Sequence, residues 1–135
     1  MPANIFLDTN IIIYCYSQDE PNKQQRALES VQSGTPWIST QVVNETVNTL
    51  RRKFLLEYAQ IGDVVDELKE KLKVATVSIN TIQIALELSE RYQYSYFDSL
   101  IIASSLEVGC DLLYSEDLQD GQNINNQLTI INPFL

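Results

Sequence analysis

The feature that most constrains this 135-residue chain is an alternation of short apolar runs with longer stretches of helical periodicity. That alternation is the mark of βαβ units wound around a parallel sheet. Asn4-Ile5-Phe6-Leu7 reads as a first strand, stopped by Asp8-Thr9-Asn10. Ile11 to Tyr16 is too apolar for periodicity to decide and is read as a buried helix. A helix around Lys23 to Gln32 ends at Ser33-Gly34, and Pro36 to Ser39 is a short extended segment. Thr40 to Phe54 follows as a helix, with Val42, Val43, Val47 and Leu50 as its apolar stripe. Gln60 to Lys73 is another, faced by Val64, Val65, Leu68 and Leu72. The β-branched run Val74 to Ile79 predicts a strand, and Asn80 caps a helix through Arg91. Ser95 caps an apolar helix from Tyr96 to Val108, which Gly109 ends. Asp111 to Ser115 and Leu128 to Asn132 are the last strands, with a surface loop between them. No repeat, low-complexity tract or linker interrupts the pattern. One domain over residues 1–135 is expected, of the three-layer α/β/α class with a central, mostly parallel sheet.

The chain has no histidine, which removes Ser-His-Asp and Cys-His catalysis and every histidine-containing metal site. Its two cysteines, Cys15 and Cys110, form no CxxC pair and are read as small buried hydrophobes of a reduced protein. Nine Lys and Arg face eighteen Asp and Glu, a net charge of -9. Such a surface repels polyphosphates, so a phosphate substrate would need divalent cations or a local basic patch. The longest apolar run, Ile11 to Tyr16, is far too short for a membrane span, and the N-terminus does not read as a secretory signal. A cytoplasmic location is expected.

Carboxylates are then the residues left to organise strong chemistry, and four of them interrupt apolar elements. Asp8 follows the first strand directly and Asp117 lies just beyond the strand ending at Ser115, at the sheet edge where open parallel sheets bind ligands. Asp98 sits inside Tyr96 to Ile102, and Glu45 among the β-branched residues Val42 to Val47. Each also has an ordinary structural reading: an Asx cap for Asp8, a first-turn charge for Asp98 or Glu45, a loop cap for Asp117. Jointly they suggest a cation site, because buried carboxylates that converge must be neutralised. Oxygen donors without nitrogen or sulfur suit Mg²⁺ or Mn²⁺, and such an ion with an activated water points to phosphodiester hydrolysis.

Taken together, Leu7-Asp8-Thr9-Asn10, Asn44-Glu45, Phe97-Asp98-Ser99-Leu100-Ile101 and Tyr114-Ser115-Glu116-Asp117-Leu118 resemble, in order and spacing over essentially the whole chain, a PIN-domain ribonuclease. The resemblance is to the VapC-like toxins of bacterial toxin–antitoxin systems. It implies that Asp8, Glu45, Asp98 and Asp117 form a Mg²⁺ or Mn²⁺ site that cleaves single-stranded regions of RNA, leaving 5′-phosphate and 3′-hydroxyl ends. Glu116 and Asp120 stand as alternatives for the fourth acid. Thr9 and Asn10 would orient Asp8 and the metal's waters, and Ser115 fits the Thr or Ser usual two residues before the last acid. An antitoxin partner that covers the site and a homodimer are also implied.

Two basic clusters are present. Arg51-Arg52-Lys53 could meet RNA phosphates or simply complement its helix dipole, while Lys69, Lys71 and Lys73 read as a charged face paired with Glu67 and Glu70. A competing reading keeps the fold but makes it a non-catalytic acidic module for protein partners. Receiver-type and Asp-x-Asp phosphatase readings are disfavoured, because Asp8 stands alone at its strand and Asn10 occupies the second acid position.

Overall fold

A computed structural model describes residues 2–135. Six strands form one sheet in the order β3-β2-β1-β4-β6-β5, flanked by helices. The central strand β1 (Asn4–Leu7) pairs in parallel with β2 (Thr35–Ser39) on one side and β4 (Leu112–Tyr114) on the other. Beyond them, β3 (Lys73–Ala75) joins β2 and β6 (Leu128–Ile131) joins β4, again in parallel. Only β5 (Asn123–Ile124) runs antiparallel, against β6. Ile5, Phe6 and Leu7 are fully buried, as expected for a parallel strand covered on both faces.

The helices are α1 (Thr9–Tyr16), α2 (Pro21–Gln32), α3 (Thr40–Arg52), α4 (Tyr58–Lys71), α5 (Ile79–Tyr92) and α6 (Tyr96–Glu107). Ile11 and Ile12 bury α1 in the core, which accounts for its uniformly apolar sequence. Val42, Thr46 and Leu50 carry the buried stripe of α3. Two glycines are required by the backbone. A Cβ on Gly34 would lie 2.4 Å from the Ala3 carbonyl oxygen, where the chain turns into β2 beside β1. Gly109 ends α6 with φ +73, a conformation other residues adopt at a cost.

Three expectations are corrected. The strand read over Val74 to Ile79 is only Lys73–Ala75. Past it the Val77 N–H donates to the Thr40 hydroxyl at 3.1 Å, drawing the chain off the sheet, and Ile79 already opens α5. The cap of α5 is Ser78, whose hydroxyl accepts from the Thr81 N–H, whereas Asn80 lies inside the helix and donates to Glu107. The surface loop after β4 contains β5, a two-residue strand too short to show a period. Both cysteines are free, with Cys110 buried and its thiol pushed up to about 12 by loss of solvent and by Asp111. Among the described residues no helix is long and apolar enough to cross a membrane.

Candidate active site

The register brings chemistry to one edge of the sheet. Leu7 lies beside Tyr114 in the β1–β4 pair, so the residues that follow them, Asp8 and Ser115 to Asp117, emerge together. Asp8 leaves β1 and caps α1. Glu45 projects from the second turn of α3, Asp98 from the first turn of α6, and Asp117 from the loop after β4. All four line a single cleft of about 710 Å³. The ordinary reading of Asp8 as a cap is therefore correct and is compatible with its place in the cleft. Asp98 likewise complements the α6 dipole while lining the cavity.

Asp8 is the most constrained of the four. It is buried, accepts the Thr9 N–H at 2.7 Å on Oδ1 and accepts the Ser115 hydroxyl at 2.7 Å on Oδ2. Burial pushes its pKa up to about 6 against the pull of those two hydrogen bonds, and the charges of Glu45 and Asp117 push it further in the same direction. Ser115 is itself fixed, because its Oγ accepts the N–H groups of Asp117 at 3.2 Å and Leu118 at 3.3 Å. Its one proton therefore points to Asp8. Thr9 donates its hydroxyl to Glu45 Oε1 at 2.7 Å. Asn10 donates from Nδ2 to Asp117 Oδ2 at 3.1 Å and accepts the Glu116 N–H on Oδ1 at 3.2 Å. Of the two residues expected to orient Asp8, Thr9 does so through its backbone N–H and sends its hydroxyl to Glu45, while Asn10 reaches Asp117 instead. The side chain on Asp8 is that of Ser115.

The alternatives for the fourth acid are engaged elsewhere. Glu116 is held by Lys23 at 2.6 Å and by the Tyr14 hydroxyl at 2.6 Å, while Asp120 accepts the Asn132 N–H at 2.7 Å. Neither lines the cleft. The basic cluster divides as well. Arg51 donates to the Leu56 carbonyl at 3.0 Å and stacks over Tyr58, closing the turn after α3. Arg52 is exposed, and Lys53 alone of the three lines the cleft. Of the second cluster, Lys71 pairs with Glu67 at 3.6 Å, as a charged helix face would, and Lys73 lies over Trp37.

The cleft also holds residues the sequence reading missed. Asp19 and Glu20 come from the turn before α2, bringing the carboxylates on its walls to six against one lysine among the described residues. Gln41, Asn48 and Thr49 join Glu45 and Lys53 on one face of α3. Their spacing marks a polar stripe flanking Val42, Thr46 and Leu50, which was readable in the sequence. Phe54 and Phe97 complete the walls.

The donor chemistry fits a hard cation: oxygen ligands only, around a carboxylate whose pKa burial raises and the charges of Glu45 and Asp117 raise further. No three carboxylates among the described residues stand close enough together to enclose an ion. Mg²⁺ does not demand that, since it commonly keeps several waters and takes one or two carboxylates.

Solved structures of similar shape include a toxin–antitoxin complex from Klebsiella pneumoniae, with a TM-score of 0.74 and 18% identity over 96% of this chain and 97% of that one. VapC20 of Mycobacterium tuberculosis, described as a sarcin–ricin loop cleaving toxin, matches with a TM-score of 0.66 and 21% identity over 81% and 86% of the two chains. VapBC2 of Rickettsia felis, solved with a promoter DNA fragment, gives 0.68 and 18% identity over 96% and 99%. No curated protein matches significantly by sequence. Residues 5–119, from β1 past the last of the four acids, match the sequence pattern of the PIN domain, and the chain belongs to that family.

Proposed function

We propose that this protein is an endoribonuclease dependent on Mg²⁺ or Mn²⁺ and the toxin of a toxin–antitoxin pair. The observation that carries the reading is the meeting of Asp8, Glu45, Asp98 and Asp117, from four separate elements, in one cleft whose deepest acid, Asp8, pairs with no lysine or arginine among the described residues. Asp8 and Asp98 would hold the ion, with Glu45 and Asp117 at its flanks directly or through water. When bound, the ion supplies an activated water and offsets the charge of the phosphate. The chain's own residues prepare that site. Ser115 and the Thr9 N–H hold Asp8, the Thr9 hydroxyl holds Glu45, and Asn10 holds Asp117, so the acids need little rearrangement. Lys53 offers a compact positive charge to the incoming RNA backbone. Hydrolysis adds water across the P–O3′ bond, leaving a 5′-phosphate, and the proton ends on the departing 3′ oxygen.

Support for the biological role comes from the shared fold of toxin–antitoxin proteins, one of them an RNA-cleaving toxin. The antitoxin would be a separate chain that covers the acidic cleft. Ile79 and Leu86, exposed seven residues apart on α5, suit self-association as a homodimer in the cytoplasm. A monomer by sedimentation would remove that last part.

One observation favours the competing reading of a non-catalytic acidic module: although the four acids share the cleft, no three carboxylates among the described residues stand close enough to enclose an ion. Cleavage of a labelled RNA panel by wild type and Asp98→Asn, with Mg²⁺, with Mn²⁺ and with EDTA, separates the two. The nuclease cuts only with metal and loses cutting in the variant. A protein that neither cuts RNA nor binds either metal is the module.

A further inference from the structure

The cleft is not symmetric along its length. The α3 face that walls it runs from Gln41 to Lys53, about 18 Å at 1.5 Å per residue, with Glu45 one turn from the Gln41 end. Phe97 stands at that end. Phe97 is 63% exposed and takes no part in the hydrophobic core, although the neighbouring Tyr96 packs against that core. Packing therefore does not explain a phenylalanine here. Its backbone is nevertheless held firmly. The Phe97 carbonyl accepts from Gln41 Nε2 at 3.0 Å, and Ser95 caps the same turn through the Asp98 N–H. The ring meets Tyr96 edge to face, with centroids 5.4 Å apart and planes at 62°, and the exposure of Phe97 leaves the ring open to a further contact beside Asp98. At the other end Lys53 lies 5.7 Å from the ring of Phe54.

We propose that Phe97 is a specificity-determining residue that stacks on an unpaired nucleobase beside the phosphate held at the carboxylates, with the strand running along α3 towards Lys53. This inference rests on the RNA-cleaving reading above. It assigns the two ends different physics. Stacking at Phe97 is insensitive to salt and tolerant of base identity, whereas the contact at Lys53 is electrostatic. It also gives a reason for preferring unpaired RNA, since a base within a duplex has no free face to offer.

The test is a single abasic residue moved through the cleaved region of an unpaired oligoribonucleotide, with kcat/KM measured for wild type, Phe97→Ala and Phe97→Trp. For wild type, one abasic position beside the cut costs on the order of tenfold, the scale of one lost base–aromatic stack. Phe97→Ala loses a similar factor on intact RNA, the two losses do not add, and Phe97→Trp restores the rate. Anisotropy titrations in an Asp8→Asn background add a readout without cleavage. There Lys53→Ala lowers the salt slope of binding by about 1, and Phe97→Ala weakens binding with the slope unchanged. The inference is overturned if Phe97→Ala cuts normally, or if its loss adds to the abasic loss, while wild type still cuts RNA. A wild-type protein that cuts no RNA with either metal overturns the functional reading, and this inference with it.

Discussion

Glu116 receives a lysine ammonium and a tyrosine hydroxyl, each at 2.6 Å, whereas Asp8 receives only a serine hydroxyl and a backbone N–H. Burial works to raise the pKa of Glu116, but Lys23 and then Tyr14 outweigh it and the group ends lowered. For Asp8 burial wins, and the pKa stands at about 6. The same chain thus neutralises one carboxylate internally and leaves the other, in the cleft, with an unmet need for positive charge. A structural acid is supplied with its cation, and Asp8 lacks one, as the proposed role of taking a cation from outside requires.

The contrast breaks most severely at the acids themselves. Asp98→Asn is expected to lower metal-dependent RNA cleavage by more than about 100-fold, beyond the loss typical of residues that only orient a ligand. Unchanged cutting would place the chemistry elsewhere. The next effect is on stability and has the opposite sign. Because the folded pKa of Asp8 lies above the unfolded value, folding is favoured by protonation, and that stabilisation is lost as pH rises from about 4 to about 6. Asp8→Asn removes the charge and should therefore stabilise the metal-free protein at neutral pH by roughly 2–3 kcal/mol, with the advantage shrinking as pH falls towards 4. Denaturant titrations in EDTA at pH 7.5 and pH 4 measure both ends. A variant less stable than wild type at pH 7.5 would contradict the burial cost assigned to Asp8.

Ser115→Ala should destabilise the fold by about 1–3 kcal/mol, since it strips a buried partner from Asp8 and from two backbone N–H groups. It should also reduce cleavage roughly 10–100-fold by loosening Asp8. Thermal melts and kcat/KM on one RNA would show both losses, and a loss of stability alone would limit Ser115 to the fold. Smallest is Lys23→Met. Its pair with Glu116 is partly exposed and screened by solvent, so only a small loss of stability is expected, smaller still at high salt, with cutting little altered. A drop in cutting comparable to that of Ser115→Ala would show that the Glu116 pair also sets the Asp117 loop.

What could be read from the sequence followed from how much local signal each element carries. Asn4–Leu7 and α6 were legible because an unbroken apolar strand and a Ser95 cap with Gly109 beyond leave few alternatives. β3 was overextended because Val77 is β-branched to pack against the core while Ile79 is an exposed residue opening α5, and β-propensity does not say where a strand leaves its sheet. The order of strands, with β1 between β2 and β4, is a long-range property that no window of residues contains. Thr9, Asn10 and Ser115 were singled out by the resemblance and not by any local pattern, and the side chain of each donates a hydrogen bond to a cleft acid. Asp19, Glu20 and Phe97 went unread because a turn before a proline and an exposed ring look alike on any surface.

The hydrogen bond from Ser115 to Asp8 joins residues 107 positions apart, and β1 can pair with β4 only after nearly the whole chain exists. On a ribosome adding about 5–20 residues per second, that interval lasts from about five to about twenty seconds. Throughout it Asp8 has neither its serine nor the strand that completes its edge of the sheet. The cleft is thus assembled late in synthesis, and a chain interrupted before residue 112 carries three of the four acids without the scaffold that aligns them. Any activity lodged there is withheld from the nascent protein by topology alone.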